Sequence, residues 1–287
     1  MKRSLVALLA CVVALPALAQ DAPLDWEVHR NTRTDAVMAF LVFDNGLGIA
    51  VRCIDGAYEA LLSGLPAAGD GETRTLGVAF GDDELSMQRW SVARNDTIAV
   101  GERPAPFARK LREGGSLRIL VPGGGGGGRN LRYDLTLPAS SASIDETLTS
   151  CQRPLTDPRD AELDALPDGG LPTSLDWARR PQLSYPANPR YGRGFAVASC
   201  MANPDGSLRD CTVDSEHPHD GGFGASTLRA IRRARVHDPA NPGAPVPSAM
   251  VSFRARFLIE GYDTREDREA MREQDAAARR RRAAEAD

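Results

Sequence analysis

Residues 194–216 read GFAVASCMANPDGSLRDCTVDSE, and this stretch decides how the C-terminal part of the chain folds. Its middle, Asn203-Pro204-Asp205-Gly206, is a turn. Proline at the second turn position presets φ and glycine at the fourth accepts a positive φ, so strands are expected on both sides. Residues 221–235, GGFGASTLRAIRRAR, follow as a glycine-rich start and a short helix. Ala225, Leu228, Ile231 and Ala234 recur at helical spacing and are expected to pack on the sheet. After a proline-rich bend, residues 248–260 read SAMVSFRARFLIE. Val251, Phe253, Ala255, Phe257 and Ile259 alternate with Ser252, Arg254, Arg256 and Leu258, the period of a half-buried strand. The order strand, strand, helix, strand predicts an α+β unit with one covered sheet face.

Outward from this core, a wider set of residues falls into a known order. Tyr185-Pro186, Gly194, Asp205-Gly206, Leu208, Cys211, Val213, Ser215-Glu216, Gly222-Phe223-Gly224-Ala225 and Leu228 precede the closing amphipathic strand. Over residues 183–260 this resembles the C-terminal domain of the TonB family of energy transducers, and in particular a branch with one cysteine on each hairpin strand. The resemblance implies a β-β-α-β fold and a binding role. Its partner would be an extended peptide segment of an outer-membrane receptor or of another envelope protein, taken partly by strand addition to the closing strand. Ser252, Arg254 and Arg256 would then flank the docking groove; the other reading of the arginines is that they guard a free edge. Arg229, Arg232 and Arg233 ring the helix, either as a solvated cationic face near its C-terminus or as a patch for an acidic partner or anionic lipid.

The first nineteen residues, MKRSLVALLACVVALPALA, place two cations before an apolar run that ends small-x-small. That is a secretory signal with cleavage before Gln20. The run is short for a membrane span. Retention as an inner-membrane anchor and lipidation at Cys11 are the two alternatives, and membrane association is expected only in those cases. Export to the periplasm makes the four remaining cysteines, Cys53, Cys151, Cys200 and Cys211, a disulfide framework with three connectivities open. Cys200 and Cys211 meet if the hairpin register is symmetric and miss if a bulge at Gly206 shifts it by one. The TonB-family pattern implies that they pair, which leaves Cys53 with Cys151.

Residues 20–153 read as an all-β, sandwich-like domain. Candidate strands are 26–30, 37–43, 47–53, 58–62, 76–80, 85–91, 97–100, 117–121 and 131–137, at the spacing of a sandwich or barrel. Short helices are expected over 106–112 and from Ser143, where Ser143-Ile144-Asp145-Glu146 is a capping-box pattern. The order Trp26, Arg52-Cys53, Trp90, 107–111 and Cys151 resembles periplasmic β-sandwich accessory proteins of secretion systems; no site is carried over. The six glycines Gly123–Gly128 lead into a strand without a following Lys-Ser/Thr, so they read as a hairpin loop and not a phosphate loop. Residues 154–182 are a Pro-rich linker in which Leu163, Leu166, Leu171, Leu175 and Trp177 are expected to touch a domain surface. Residues 183–261 form the TonB-like domain, and 262–287 are a charged tail, helical or disordered.

The formal net charge of −4 argues against a nucleic-acid partner. No G-x-S-x-G elbow occurs. Asp214, His217, His219 and Asp220 are the one compact group of metal-ligand residue types, which reads as an exposed loop; the rival is an exported enzyme or metal binder built on it. A purely structural envelope protein is a third possibility. The expectation is a non-enzymatic envelope interaction module without a cofactor, linked to TonB-dependent transmembrane transport. It would be an adaptor if residues 1–19 are cleaved and a transducer if they are retained.

Overall fold

The structure, a computed structural model, describes residues 24–69, 71–187 and 189–259. The predicted signal at 1–19 with Cys11, and the predicted tail 262–287, lie outside the described residues. The described part is mostly β-sheet with few helices.

The first nine strands are β1 Glu27–Asn31, β2 Ala36–Val42, β3 Gly48–Ile54, β4 Ala57–Ser63, β5 Thr73–Phe80, β6 Ser86–Val92, β7 Ala99–Gly101, β8 Gly115–Val121 and β9 Leu131–Leu137. Each predicted strand of this region has a counterpart, shifted by a few residues at its ends. A sandwich was expected, yet all nine strands belong to one antiparallel sheet, ordered β1-β2-β3-β4-β7-β6-β5-β8-β9. The short β7 is the reason. It pairs with β4 on one side and β6 on the other, and so joins two meanders that would otherwise be separate sheets. The β3–β4 connection shows the local chemistry: Asp55 and Gly56, at φ 48° and 78°, form a two-residue turn with Ile54 opposite Ala57.

Two helices cover the core of this sheet, α1 Pro104–Leu111 and α2 Ala142–Ser150. Phe107 of α1 meets Trp90 edge-on at 5.3 Å, and Ile144 and Leu148 of α2 are fully buried. The N-cap of α2 is Ser141, whose hydroxyl bonds Asp145 at 3.1 Å. The capping box predicted at Ser143 does not form, and the Ser143 hydroxyl instead reaches the Trp26 carbonyl. Cys151, just past α2, is disulfide-bonded to Cys53 of β3.

The remaining elements are α3 Arg159–Ala165, β10 Asp176–Arg179, β11 Arg193–Ala202, β12 Leu208–His217, α4 Phe223–Ile231, β13 Arg235–His237 and β14 Met250–Leu258. β12, β11 and β14 form an antiparallel sheet in that order, so β14 is an edge strand. β10 and β13 pair separately. In the predicted linker, Leu163 and Leu175 are buried, and Leu171 and Trp177 pack on the cluster that holds Ile231 and Val251.

The β11–β12 hairpin resolves the register left open by the sequence. Gly206 has φ 77°, and next to the turn Ala202 faces Leu208 and Met201 faces Arg209. That is the shifted register. Asp210 then takes φ 50° as a bulge, and Ser199 faces Thr212 beyond it. The bulge restores the symmetric register where Cys200 and Cys211 lie, and they are disulfide-bonded with Cα atoms 4.2 Å apart. A second register shift falls at Asp214.

Helix α4 packs on the face of the sheet that carries Ala196 and Ala198. Its buried side chains are Phe223, Ser226, Thr227, Ala230 and Ile231, while Ala225 is exposed. Of the predicted stripe, Ile231 and Ala234 are buried and Leu228 packs on the same cluster, whereas Ala225 faces out. In the first turn the buried position is Phe223 instead, which stacks on Phe257 at 4.7 Å. The carboxylate of Glu216 in β12 accepts the Phe223 N–H at 2.8 Å and serves as the cap that Gly222 cannot provide.

Candidate functional site

The opposite face of the three-stranded sheet packs against the nine-stranded sheet. A small apolar patch of Val100, Phe195 and Val197 lies at this seam. Charged groups surround it. Glu59, Glu102 and Asp214 are all buried. His217 Nδ1 lies 2.7 Å from Glu59 Oε1, and Arg52 bonds the same carboxylate. Burial pushes the Glu59 carboxyl up, but His217 and Arg52 outweigh it and hold it below the usual range. Arg254 of β14 is ion-paired with Glu102, whose carbonyl accepts the Ser215 hydroxyl at 2.8 Å. Burial raises the Glu102 carboxyl despite the opposing charges of Arg254, Arg89 and Arg256. Asp214 bonds the Ser199 hydroxyl at 3.0 Å; burial drives its carboxyl up to about 6, against the pull of Arg159, Arg153 and Arg103.

The free edge of β14 opens beside this seam. Ser252 donates its backbone N–H outward to Gly170 O at 2.7 Å, whereas Ile259 donates inward to Gly192 O at 2.8 Å. In an antiparallel strand the two directions alternate, so the N–H groups of Arg254, Arg256 and Leu258 also face outward. Gly170 covers the start of the edge. It has φ 74°, and a Cβ there would lie 2.1 Å from Ser252 O, so only glycine permits the approach. Among the described residues the open length of the edge is therefore Arg254–Leu258, and Ser252 is engaged internally.

A groove of about 440 Å³ runs along this edge, with Arg89, Arg103, Trp177, Arg180, Arg254 and Arg256 among its lining residues. At one end it shares Arg256 with a pocket of about 300 Å³ that also holds Arg193, Phe195 and His217. At the other end a cavity of about 430 Å³ shares Arg89, Arg103 and Arg254 and reaches Phe107 and Lys110. His217, Phe195 and Arg256 are opposed across the three strands, which puts them in one row on the seam face.

The sequence-predicted residues thus divide into two groups. Arg254 and Arg256 come together with arginines that the sequence reading did not single out: Arg89 of β6, Arg103 at the start of α1 and Arg180 just past β10. Nothing in their local sequence marks them, because the groove is made by the packing of two sheets. Arg229, Arg232 and Arg233 are exposed on the α4 side, away from the groove. The Asp214–Asp220 group does not converge. Asp214 bonds Ser199, His217 bonds Glu59, His219 lies 3.6 Å from Asp55, and Asp220 takes Arg190 and Tyr191. Among the described residues no group of three or more His, Cys, Asp or Glu side chains is placed to hold a metal ion.

Two disulfides mark a protein of an oxidising compartment. No helix among the described residues is long and apolar enough to cross a membrane.

No protein-family model matches this sequence, and no curated protein matches it. Among solved structures, the solution NMR structure of the Pseudomonas aeruginosa TonB CTD is similar over 32% of this chain and 93% of that chain, with 18% sequence identity and a TM-score of 0.28.

Proposed function

We propose that this chain is a periplasmic interaction module, and not an enzyme, that takes an extended segment of an outer-membrane receptor or another envelope protein as an added strand on β14. The observation that carries this reading is the outward-facing backbone of Arg254–Leu258 at the edge of the three-stranded sheet, open to a groove. Strand addition needs unpaired N–H and C=O groups on a fixed edge, and main-chain hydrogen bonds then supply affinity whatever the partner's side chains. The order of residues shared with TonB C-terminal domains, from Tyr185-Pro186 to the closing strand, supports a role in TonB-dependent transport. A chain cleaved after residue 19 acts as an adaptor there; one that keeps residues 1–19 is anchored and acts as a transducer.

The test uses an extended peptide N-methylated at every second residue, in two registers, against the full chain. N-methylation removes the donors on one side of the added strand only. Strand addition on β14 requires that one register abolish binding and the other preserve it. Equal binding of both registers would remove this reading.

A further inference from the structure

We propose that the segment received on β14 is acidic, with carboxylates at alternate positions facing the seam; this rests on the strand-addition reading and assigns the chemistry of the partner.

The groove is lined by more positive than negative charge, and much of the positive charge is unmatched. Arg254 is matched by Glu102, and Arg89 lies 4.0 Å from Asp168. Four other guanidinium groups along the groove and its end pocket have no carboxylate oxygen within ion-pair distance among the described residues. Arg103 bonds only the Leu163 carbonyl, and Arg256 bonds only the Thr73 hydroxyl, at 3.2 Å. Arg180 lines the groove and Arg193 the end pocket, both with exposed side chains. Glu72 and Asp96 line the end pocket, and Asp83 and Glu84 line the cavity at the other end of the groove. Glu102 is already used by Arg254, and the groove itself is lined by five arginines against Glu102 and Asp168.

Geometry turns this excess into a pattern. An added strand places its side chains opposite those of β14, alternating between the two sheet faces. On the seam face β14 presents Arg254, Arg256 and then Leu258. On the other face Phe253, Ala255 and Phe257 join the apolar clusters. A complementary segment therefore carries its carboxylates among the alternate residues that face the seam, where Arg256 is the unmatched cation of the row, and apolar or small residues between. Guanidinium groups bind carboxylates through paired N–H donors, which makes arginine, used here throughout, well suited to the task. Such charge matching selects partners and speeds their association more than it adds affinity.

The experiment uses the full chain and three fluorescent octapeptides of one pattern, in which alternate positions are Glu, Gln or Lys and the intervening ones Val. Binding is followed by anisotropy at low and high salt. The Glu peptide is expected to bind at least about tenfold more tightly than the Gln peptide at low salt, to lose most of that margin at high salt, and to outbind the Lys peptide further. Arg180→Gln and Arg256→Gln, both at exposed positions, are expected to narrow the Glu-to-Gln margin. Equal binding of the Glu and Gln peptides would overturn the acidic assignment and leave strand addition in place. Tight binding of the Glu peptide with either N-methyl register would overturn strand addition itself.

Discussion

Arg254, on the edge strand β14, and Glu102, just past β7, form an ion pair across the seam between the two sheets, 152 residues apart in sequence. Glu102 is 4% exposed, so its carboxylate is effectively removed from water, while the Arg254 side chain keeps 23% of its surface. Breaking a buried pair by removing one partner leaves an uncompensated charge, which typically costs about 3–5 kcal/mol. Arg254→Ala is therefore expected to lower stability by an amount of that order in urea unfolding. Adding Glu102→Gln is expected to recover a large part of the loss. A double variant no more stable than Arg254→Ala would show that the seam does not depend on this charge.

The two disulfides are expected to contribute unequally. Cys53–Cys151 closes a sequence separation of 98 residues and Cys200–Cys211 one of 11. Loop-closure entropy gives about 5 kcal/mol for the first and about 3 kcal/mol for the second. Replacing Cys53 and Cys151 together by alanine should shift the denaturation midpoint further than replacing Cys200 and Cys211. The reverse order, measured by guanidinium unfolding, would mean that the hairpin staple holds the seam as well as the hairpin.

Asp214 sets a pH dependence of definite sign. Its carboxyl is raised to about 6 by burial, above its unfolded value, so the folded state binds the proton more tightly. The contribution is fully present below about pH 4 and is lost as pH rises through about 6, a span of roughly 3 kcal/mol. Glu59 works in the opposite sense, since its lowered carboxyl adds stability that is lost on acidification. The comparison must therefore be differential. Asp214→Asn is expected to become more stable relative to wild type as pH rises between about 4 and 6, with little change above. A difference that stays flat over this range would mean that water reaches Asp214.

Gly224 and Glu216 form one device at the start of α4. Glu216 accepts the Phe223 N–H, and a Cβ on Gly224 would fall 2.5 Å from Glu216 Oε2. Glu216→Ala should cost about 1–2 kcal/mol, as lost caps do. Gly224→Ala should cost a similar amount, and the double variant should cost less than the sum because both act on one contact. Additive losses in thermal unfolding would separate the two roles.

Most of the local structure was legible in the sequence because each signal is local. Alternation along residues 250–258, the Asn203–Gly206 turn and the periodic strands between residues 26 and 137 announce themselves within a few residues. The misreadings share one origin. Phe223 takes the buried place in the first turn of α4 by stacking on Phe257, the Ser143 hydroxyl goes to the Trp26 carbonyl, and the merging of two sheets follows from β7 meeting both β4 and β6. Each is a contact between residues far apart in the chain. The hairpin combined both kinds of information: the turn was readable, but the bulge at Asp210 that brings Cys200 to Cys211 was not, since a single residue at φ 50° leaves no compositional trace.

By itself the sequence determined the strands, the edge-like alternation of Ser252, Arg254 and Arg256, and the four cysteines available for pairing. Tertiary structure alone decided which of these matter at the groove. It engaged Ser252 with Gly170, committed Arg254 to Glu102, left Arg256 open, and brought in Arg89, Arg103 and Arg180 from elsewhere. The physical reason is that a groove between two sheets is a property of their packing. Its charge depends on which arginines find carboxylates inside the fold and which are left facing out.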